Sequence, residues 1–257
     1  MQTNYGRLIY IIDNDDWMEL LELIIIIAMA GLLSVLAQYL GLLTFDGAVA
    51  SLAVGIIIGL FGSVEWLFVL IIFTGLGFAA TMMGLTRKRN KGLQEGLYGE
   101  RMYKNVVAVG FAPCLFAVLY YFFGNYELMS IGYMASIAVA AADTIASEIG
   151  VKDKRVWMIT TFKRVEPGVD GGVSVMGTSV ALAAAAVTTA IGWVLIFGLT
   201  FSILFIVPVI AGMAGCFLDS FLGATIETKC YISKYTNNAV TALLGAILAV
   251  VLYHYFF

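Results

Sequence analysis

Seven apolar runs, each close to the roughly 17–25 residues that a helix needs to cross a hydrocarbon core, recur along this chain of 257 residues. They cover positions 20–43, 64–82, 105–123, 130–149, 173–197, 201–223 and 238–257. A shorter run, 47–62, reads as one more crossing. The expected fold is therefore all-α: a polytopic integral membrane bundle of about eight transmembrane helices, or seven if the short run does not span. With 61% hydrophobic and 12% charged residues, the chain falls far below the roughly 25% charged residues of a soluble domain. A single transmembrane domain over 1–257 is expected, with short loops and no large soluble appendage.

Charge gives the orientation independently of hydropathy. The segments at about 83–104, 150–172 and 224–237 hold 13 of the 14 Lys and Arg, from Arg87 and Lys88 to Lys229 and Lys234. Basic loops stay on the cytoplasmic side, so these three loops are expected there and both termini outside. Arg7 followed by Asp13, Asp15 and Asp16 is a poor start for a cleavable signal, and none is expected. Cys114, Cys216 and Cys230 form no CxxC pair, and His254 is the sole histidine, which excludes a multi-histidine metal centre. Asp46 reads as an N-cap for the second helix. Nothing in the composition points to nucleic acid.

The stretch AAADTIASEIG, 140–150, ends an apolar run yet carries Asp143, Thr144, Ser147 and Glu148. An acid deep in a bilayer helix costs about 2.5–3.5 kcal/mol on insertion scales, so such residues mark functional sites. Asp143 and Ser147 are four apart, on one helix face, and Asp143 lies roughly 10 Å inside the helix end. In the seventh run, Asp219, Gly223 and Glu227 also recur at intervals of four, with Ser220 and Thr225 nearby. Asp219 sits at a similar depth from the same end. Taken singly, either acid could be an ordinary ion pair. Two acid clusters at matched depth instead suit a hard divalent cation, and Mg²⁺ is usually held by one or two carboxylates plus substrate phosphates. The expected metal ligands are Asp143, Glu148 and Asp219.

Between the fifth and sixth long helices lies TTFKRVEPGVDGGVSVMGT, 160–178. Gly168, Gly171 and Gly172 surround Asp170, and a helix follows at once. A glycine-rich loop entering a helix N-terminus aims backbone N–H groups and the helix dipole at an anion. Lys163 and Arg164 add charge. The expected phosphate-binding site is Gly168, Asp170, Gly171, Gly172 and Ser174 with Lys163, supported by Ser147, Ser220, Thr225 and Asn238. Of the adjacent pair Asn237 and Asn238, one would cap the last helix and the other reach the site.

Four ordered motifs, DTIASEIG at 143–150, TTFKRVEPGVDGGVSVMG at 160–177, DSFLGAT at 219–225 and NNAV at 237–240, give the chain a resemblance to a known membrane family. It resembles the prenyl- and phytyl-phosphate kinase family, which includes plant phytyl-phosphate kinase and vertebrate transmembrane protein 19. The resemblance covers most of the chain from Asp46 onward. Val169 stands where the family usually has Thr, and Val109 where it usually has Asn. The resemblance implies Mg²⁺-dependent transfer of a phosphoryl group from a nucleoside triphosphate, CTP before UTP or ATP, to an isoprenoid monophosphate, giving the diphosphate. Asp143, Asp219 and Lys163 would be the catalytic residues. Its alternatives are a CTP-dependent isoprenoid alcohol kinase and a transporter or flippase of phosphorylated isoprenoid lipids. The expected partners are the isoprenoid monophosphate, the nucleotide and the bilayer, with homo-oligomerisation left open.

Overall fold

The structure, a computed structural model, describes residues 17–90, 99–200 and 202–256. Asp13, Asp15 and Asp16, and positions 91–98 of the first expected basic loop, lie outside the described residues. Among the described residues, eight helices are long and apolar enough to cross a membrane. They are α1 (Trp17–Tyr39), α2 (Phe45–Ile57), α3 (Val64–Asn90), α4 (Tyr103–Phe123), α5 (Tyr126–Gly150), α6 (Val175–Phe197), α7 (Ile206–Leu222) and α8 (Lys234–Phe256). The short run does become a crossing, because a π turn, Ile58–Gly62, extends α2. Thr44 caps α2, accepting from the Gly47 N–H, while Asp46 in the first turn accepts from the Tyr103 N–H across to α4.

Helix α5 is the axis of the bundle. Every residue from 130 to 142 is buried, enclosed by α3, α4, α6, α7 and α8. Lipid tails supply no hydrophobic drive between helices, so tight association relies on small residues that admit close backbone approach. Ala138, Ala141 and Ala142 provide that surface on α5, and Gly215 of α7 and Gly245 of α8 both close on Val139.

The two ends of the bundle differ. At one end aromatic rings fill the space: Trp66 stacks on Tyr133 with centroids 4.4 Å apart, and the Tyr133 hydroxyl donates to the Trp66 carbonyl at 2.6 Å. Tyr120 and Tyr126 extend the cluster. At the other, basic end, the segment expected as a plain loop over 150–172 carries a small antiparallel sheet. Strands β1 (Val156–Met158), β2 (Arg164–Val165) and β3 (Gly172–Val173) lie in the order β2-β1-β3. Branched and aromatic side chains at Val156, Trp157, Val165 and Val173 suit strands, and the Arg164 guanidinium stacks 5.9 Å from the Trp157 ring centroid. The third expected loop is also shorter, because α7 continues through a π turn, Gly223–Glu227.

Candidate functional site

The basic end of α5 sends its two acids to different places. Asp143, Ala146, Ser147 and Gly150 line a cavity of about 280 Å³. Glu148 is five residues beyond Asp143, about 140° further round the helix, and faces away. It is buried and accepts a hydrogen bond from Thr81 Oγ1 at 3.2 Å, and the same hydroxyl receives Arg101 Nη2 at 3.1 Å. The three-acid set Asp143, Glu148 and Asp219 is thus not assembled. Among the described residues, no group of three or more His, Cys, Asp or Glu is placed to hold a metal ion.

Helix α7 brings Asp219 and Ser220 to the cavity, and the π turn adds Gly223 and Glu227. A π turn inserts a residue into the helical ladder and re-aims the side chains beyond it, a distortion frequent at functional sites. Here Thr228 N–H reaches back to the Gly223 carbonyl at 3.3 Å. Helix α8 secures the turn from the side. Asn237, 1% exposed, donates from Nδ2 to the Asp219 carbonyl at 3.1 Å and to Glu227 Oε2 at 3.0 Å. One turn further on, Thr241 Oγ1 donates to Asp219 Oδ1 at 3.3 Å. Lys234, the first residue of α8, lines the cavity mouth.

The glycine-rich loop forms the roof. Gly171 has φ +77°, in the left-handed region that favours glycine, and a Cβ there would run into Ala224 and stand 2.8 Å from the Ser220 carbonyl. Backbone is thereby laid on backbone, which seats Gly168, Val169, Asp170 and Gly172 over the acids. Gly172 N–H closes a tight turn onto the Val169 carbonyl at 2.9 Å. Ser174 then caps α6, its hydroxyl accepting from the Gly177 N–H at 3.0 Å. At the cavity edge α5 and α6 cross at Gly150 and Gly177, where a Cβ on Gly150 would stand 3.1 Å from the Gly177 Cα. Outside the membrane segments, the Arg155 N–H donates to Asp153 at 2.9 Å and holds that carboxyl below its ordinary range.

Of the residues expected from sequence, the structure gathers Asp143, Ser147, Gly168, Asp170, Gly171, Gly172, Ser174, Asp219 and Ser220 around one cavity. Four others do not line it. Glu148 turns to Thr81. Lys163 is exposed in the β1–β2 turn, where its carbonyl receives the Met158 N–H. Thr225 folds its hydroxyl back onto the Phe221 carbonyl of its own helix at 2.7 Å. Asn238 yields to its neighbour, since Asn237 is the one that reaches Asp219 and Glu227. The sequence pattern places Glu227 on the Asp219 face without giving it a role, points to Asn238 rather than Asn237 as the residue reaching the site, and does not single out Lys234 or Thr241. The signal was partly there: Glu227 continues the spacing of Asp219 and Gly223, and Thr241 lies four residues beyond Asn237.

The fold and the cavity define a class: an integral membrane protein with a carboxylate-lined cavity roofed by a glycine-rich loop at one end of its helix bundle. The chain belongs to the integral membrane protein family DUF92, whose model matches residues 28–251. It is 33% identical to an uncharacterized membrane protein of Methanocaldococcus jannaschii, over 93% of this chain and 98% of that one. An uncharacterized membrane protein of Synechocystis sp. is 32% identical over 68% of this chain and 69% of its own length. The chloroplastic protein VTE6 of Arabidopsis thaliana is 30% identical over 75% of this chain and 59% of its own length. The family model and the match to VTE6 accord with the prenyl- and phytyl-phosphate kinase family that the four motifs resemble. No solved structure matches the chain.

Proposed function

We propose that this protein transfers a phosphoryl group from a nucleoside triphosphate, CTP foremost, to an isoprenoid monophosphate at the cytoplasmic face of the membrane, with Mg²⁺ as cofactor. The observation that carries the reading is the charge of one cavity: among the described residues that line it are Asp143, Asp170, Asp219 and Glu227, with Lys234 the one Lys or Arg. Asp143, Asp219 and Glu227 are half-buried while Asp170 is exposed, and this excess of negative charge favours a cationic ligand. The hard oxygen donors of these acids fit Mg²⁺, which needs only one or two carboxylates when substrate phosphates complete its shell. Asp143 and Asp219 would hold it, and its chemistry is to neutralise phosphate charge.

The chain's own groups do the rest by positioning. In the roof, the Val169 and Gly172 N–H groups close turns within the loop, so those of Gly168, Asp170 and Gly171 would meet the donor's phosphates, with Lys234 adding charge at the mouth. An acceptor phosphate monoester has its second pKa near 6 and is already an anionic nucleophile at neutral pH, so no general base is required. Phosphoryl transfer is largely a matter of alignment and charge stabilisation. An acceptor phosphate oxygen bonds to the γ-phosphorus, the bond from that phosphorus to the β–γ bridging oxygen breaks, and the nucleoside diphosphate leaves with those electrons. The basic loops, which share an end with the cavity, support the cytoplasmic placement.

The test is phosphoryl transfer by purified protein with Mg²⁺, offered geranylgeranyl phosphate or geranylgeraniol, with CTP, UTP and ATP in turn. Diphosphate from the monophosphate, fastest with CTP, is expected. Reaction of the alcohol alone would replace the acceptor with a polyprenol. No transfer in any combination would overturn the reading and favour lipid translocation.

A further inference from the structure

The cavity is polar above and apolar below. Asp143, Ser147, Asp219 and the glycine-rich roof form the upper wall, while Ala181 of α6 and Met213, Cys216 and Phe217 of α7 form the floor. Helices α6 and α7 both pack along α5, and deeper in the bilayer they close on each other where Gly212 lies against Ala185, a Cβ on Gly212 standing 3.3 Å from that of Ala185. Toward the basic end they part around the cavity. Phe217 lines the cavity and is 40% exposed, and Ile210 and Phe221, seven residues before it and four after it and so on the same helix face, are exposed as well. On α6, Leu182, next to the cavity-lining Ala181, is exposed too. Ser147 is exposed although α5 is enclosed along most of its length, and it lines the cavity.

We propose that the parting between α6 and α7 is a lateral doorway for the isoprenoid chain of the acceptor. The phosphate end sits at Asp143 and Asp219, and the chain runs out over Ala181, Met213 and Phe217 into lipid. This rests on the phosphotransferase reading above. Each buried methylene shifts partition into an apolar phase about fourfold, so a long isoprenoid chain stays in the bilayer and must reach the acids sideways. The nucleotide, which is water-soluble, comes from the aqueous side under the loop seated on Ser220 and Ala224. The two substrates then meet at the acids from different directions, and neither needs to pass the other.

A second apolar cleft, of about 60 Å³, lies on the other side of α5 between α2, α3 and α4, with Arg101 at its basic end. It is the rival location for the chain, and labelling separates the two. The full-length protein in nanodiscs is irradiated with a geranylgeranyl phosphate carrying a diazirine on its tail, and the labelled positions are mapped. Adducts at 178–182 and 213–217 are expected. Adducts at Arg101, Val106 and Val109, or an even spread over all membrane-facing helices, would overturn the doorway.

Kinetics provide the second measurement. Phe217→Ala should raise KM for geranylgeranyl phosphate about fivefold, through lost apolar contact, and leave the five-carbon dimethylallyl phosphate within about twofold. Phe221→Ala, on the same exposed surface but off the cavity, should leave both acceptors unchanged. Equal effects of Phe217→Ala on long and short acceptors would contradict the proposal. Labelling needs no turnover, so mapped adducts without phosphoryl transfer would sink the phosphotransferase reading and leave the doorway standing.

Discussion

Two faces of one helix end make the instructive comparison. On one face of α5, Asp143 opens onto a cavity of about 280 Å³ that Asp219 and Glu227 also line. On the other, Glu148 is buried against α3, takes the Thr81 hydroxyl, and through it is joined to Arg101, whose guanidinium lies 5.8 Å from the Phe78 ring centroid. Both acids belong to one eight-residue motif. Their chemistry diverges because the first shares its space with other acids, and the second is matched by a hydroxyl and a nearby cation. Both kinds of acid have hydrogen-bond partners, but Glu148 shares its place with a hydroxyl and a guanidinium. Asp219 and Glu227 instead crowd one cavity with Asp143, an arrangement that favours a cationic ligand.

The sharpest way to break the comparison is to neutralise each face. Asp143→Asn or Asp219→Asn should lower transfer about 10²–10³-fold, the scale of losing a group that stabilises developing charge. Their thermal midpoints should hold or rise, because like charges on one cavity oppose folding. Removing divalent cation with EDTA should abolish transfer in the wild type, and Mg²⁺ should restore it. Next in size is Gly171→Ala. Its Cβ meets Ala224 and the Ser220 carbonyl at a positive φ, and relieving about 1–3 kcal/mol of overpacking should lift the loop and raise KM for the nucleotide at least tenfold.

Asn237→Ala removes both hydrogen bonds that tie Glu227 to the Asp219 carbonyl. A loss of about 1–3 kcal/mol is expected in transition-state stabilisation, read as kcat/KM. In combination with Glu227→Gln the losses should be well short of additive, since one residue acts through the other. Additive losses would separate Asn237 from the site. On the opposite face, Glu148→Gln should lower stability by about 1–3 kcal/mol and leave KM for the nucleotide unchanged, as followed by thermal melts beside kinetics. Smallest of all, Thr225→Ala should stay within about 0.5 kcal/mol in stability and leave turnover as it is, because that hydroxyl serves its own helix.

The bundle was legible in the sequence because spanning length and hydropathy are set by the bilayer, not by partners. All eight crossings carry that signal, including the short one that a π turn completes. Much of the cavity was legible too, since Asp143 with Ser147, and Asp219 with Ser220, follow helical spacing from a common end. Glu148 was misjudged for a physical reason. Adjacency to Ser147 in sequence says nothing of direction, and a further step of about 100° round the helix carries the side chain to another neighbour. The choice between Asn237 and Asn238 depends on the rotation of α8 about its axis, which packing decides. The π turn that delivers Glu227 leaves no composition signature in GATIE. The small sheet was hidden because strands of two or three residues are too short for alternation to show.

The most direct measurement of the central claim is the rate of isoprenoid diphosphate formation from CTP and geranylgeranyl phosphate by Asp143→Asn and Glu148→Gln side by side, each normalised to folded protein. Asp143→Asn should fall by about two orders of magnitude or more, while Glu148→Gln should keep the wild-type rate within about threefold. Comparable losses in both variants, or a fully active Asp143→Asn, would contradict that claim.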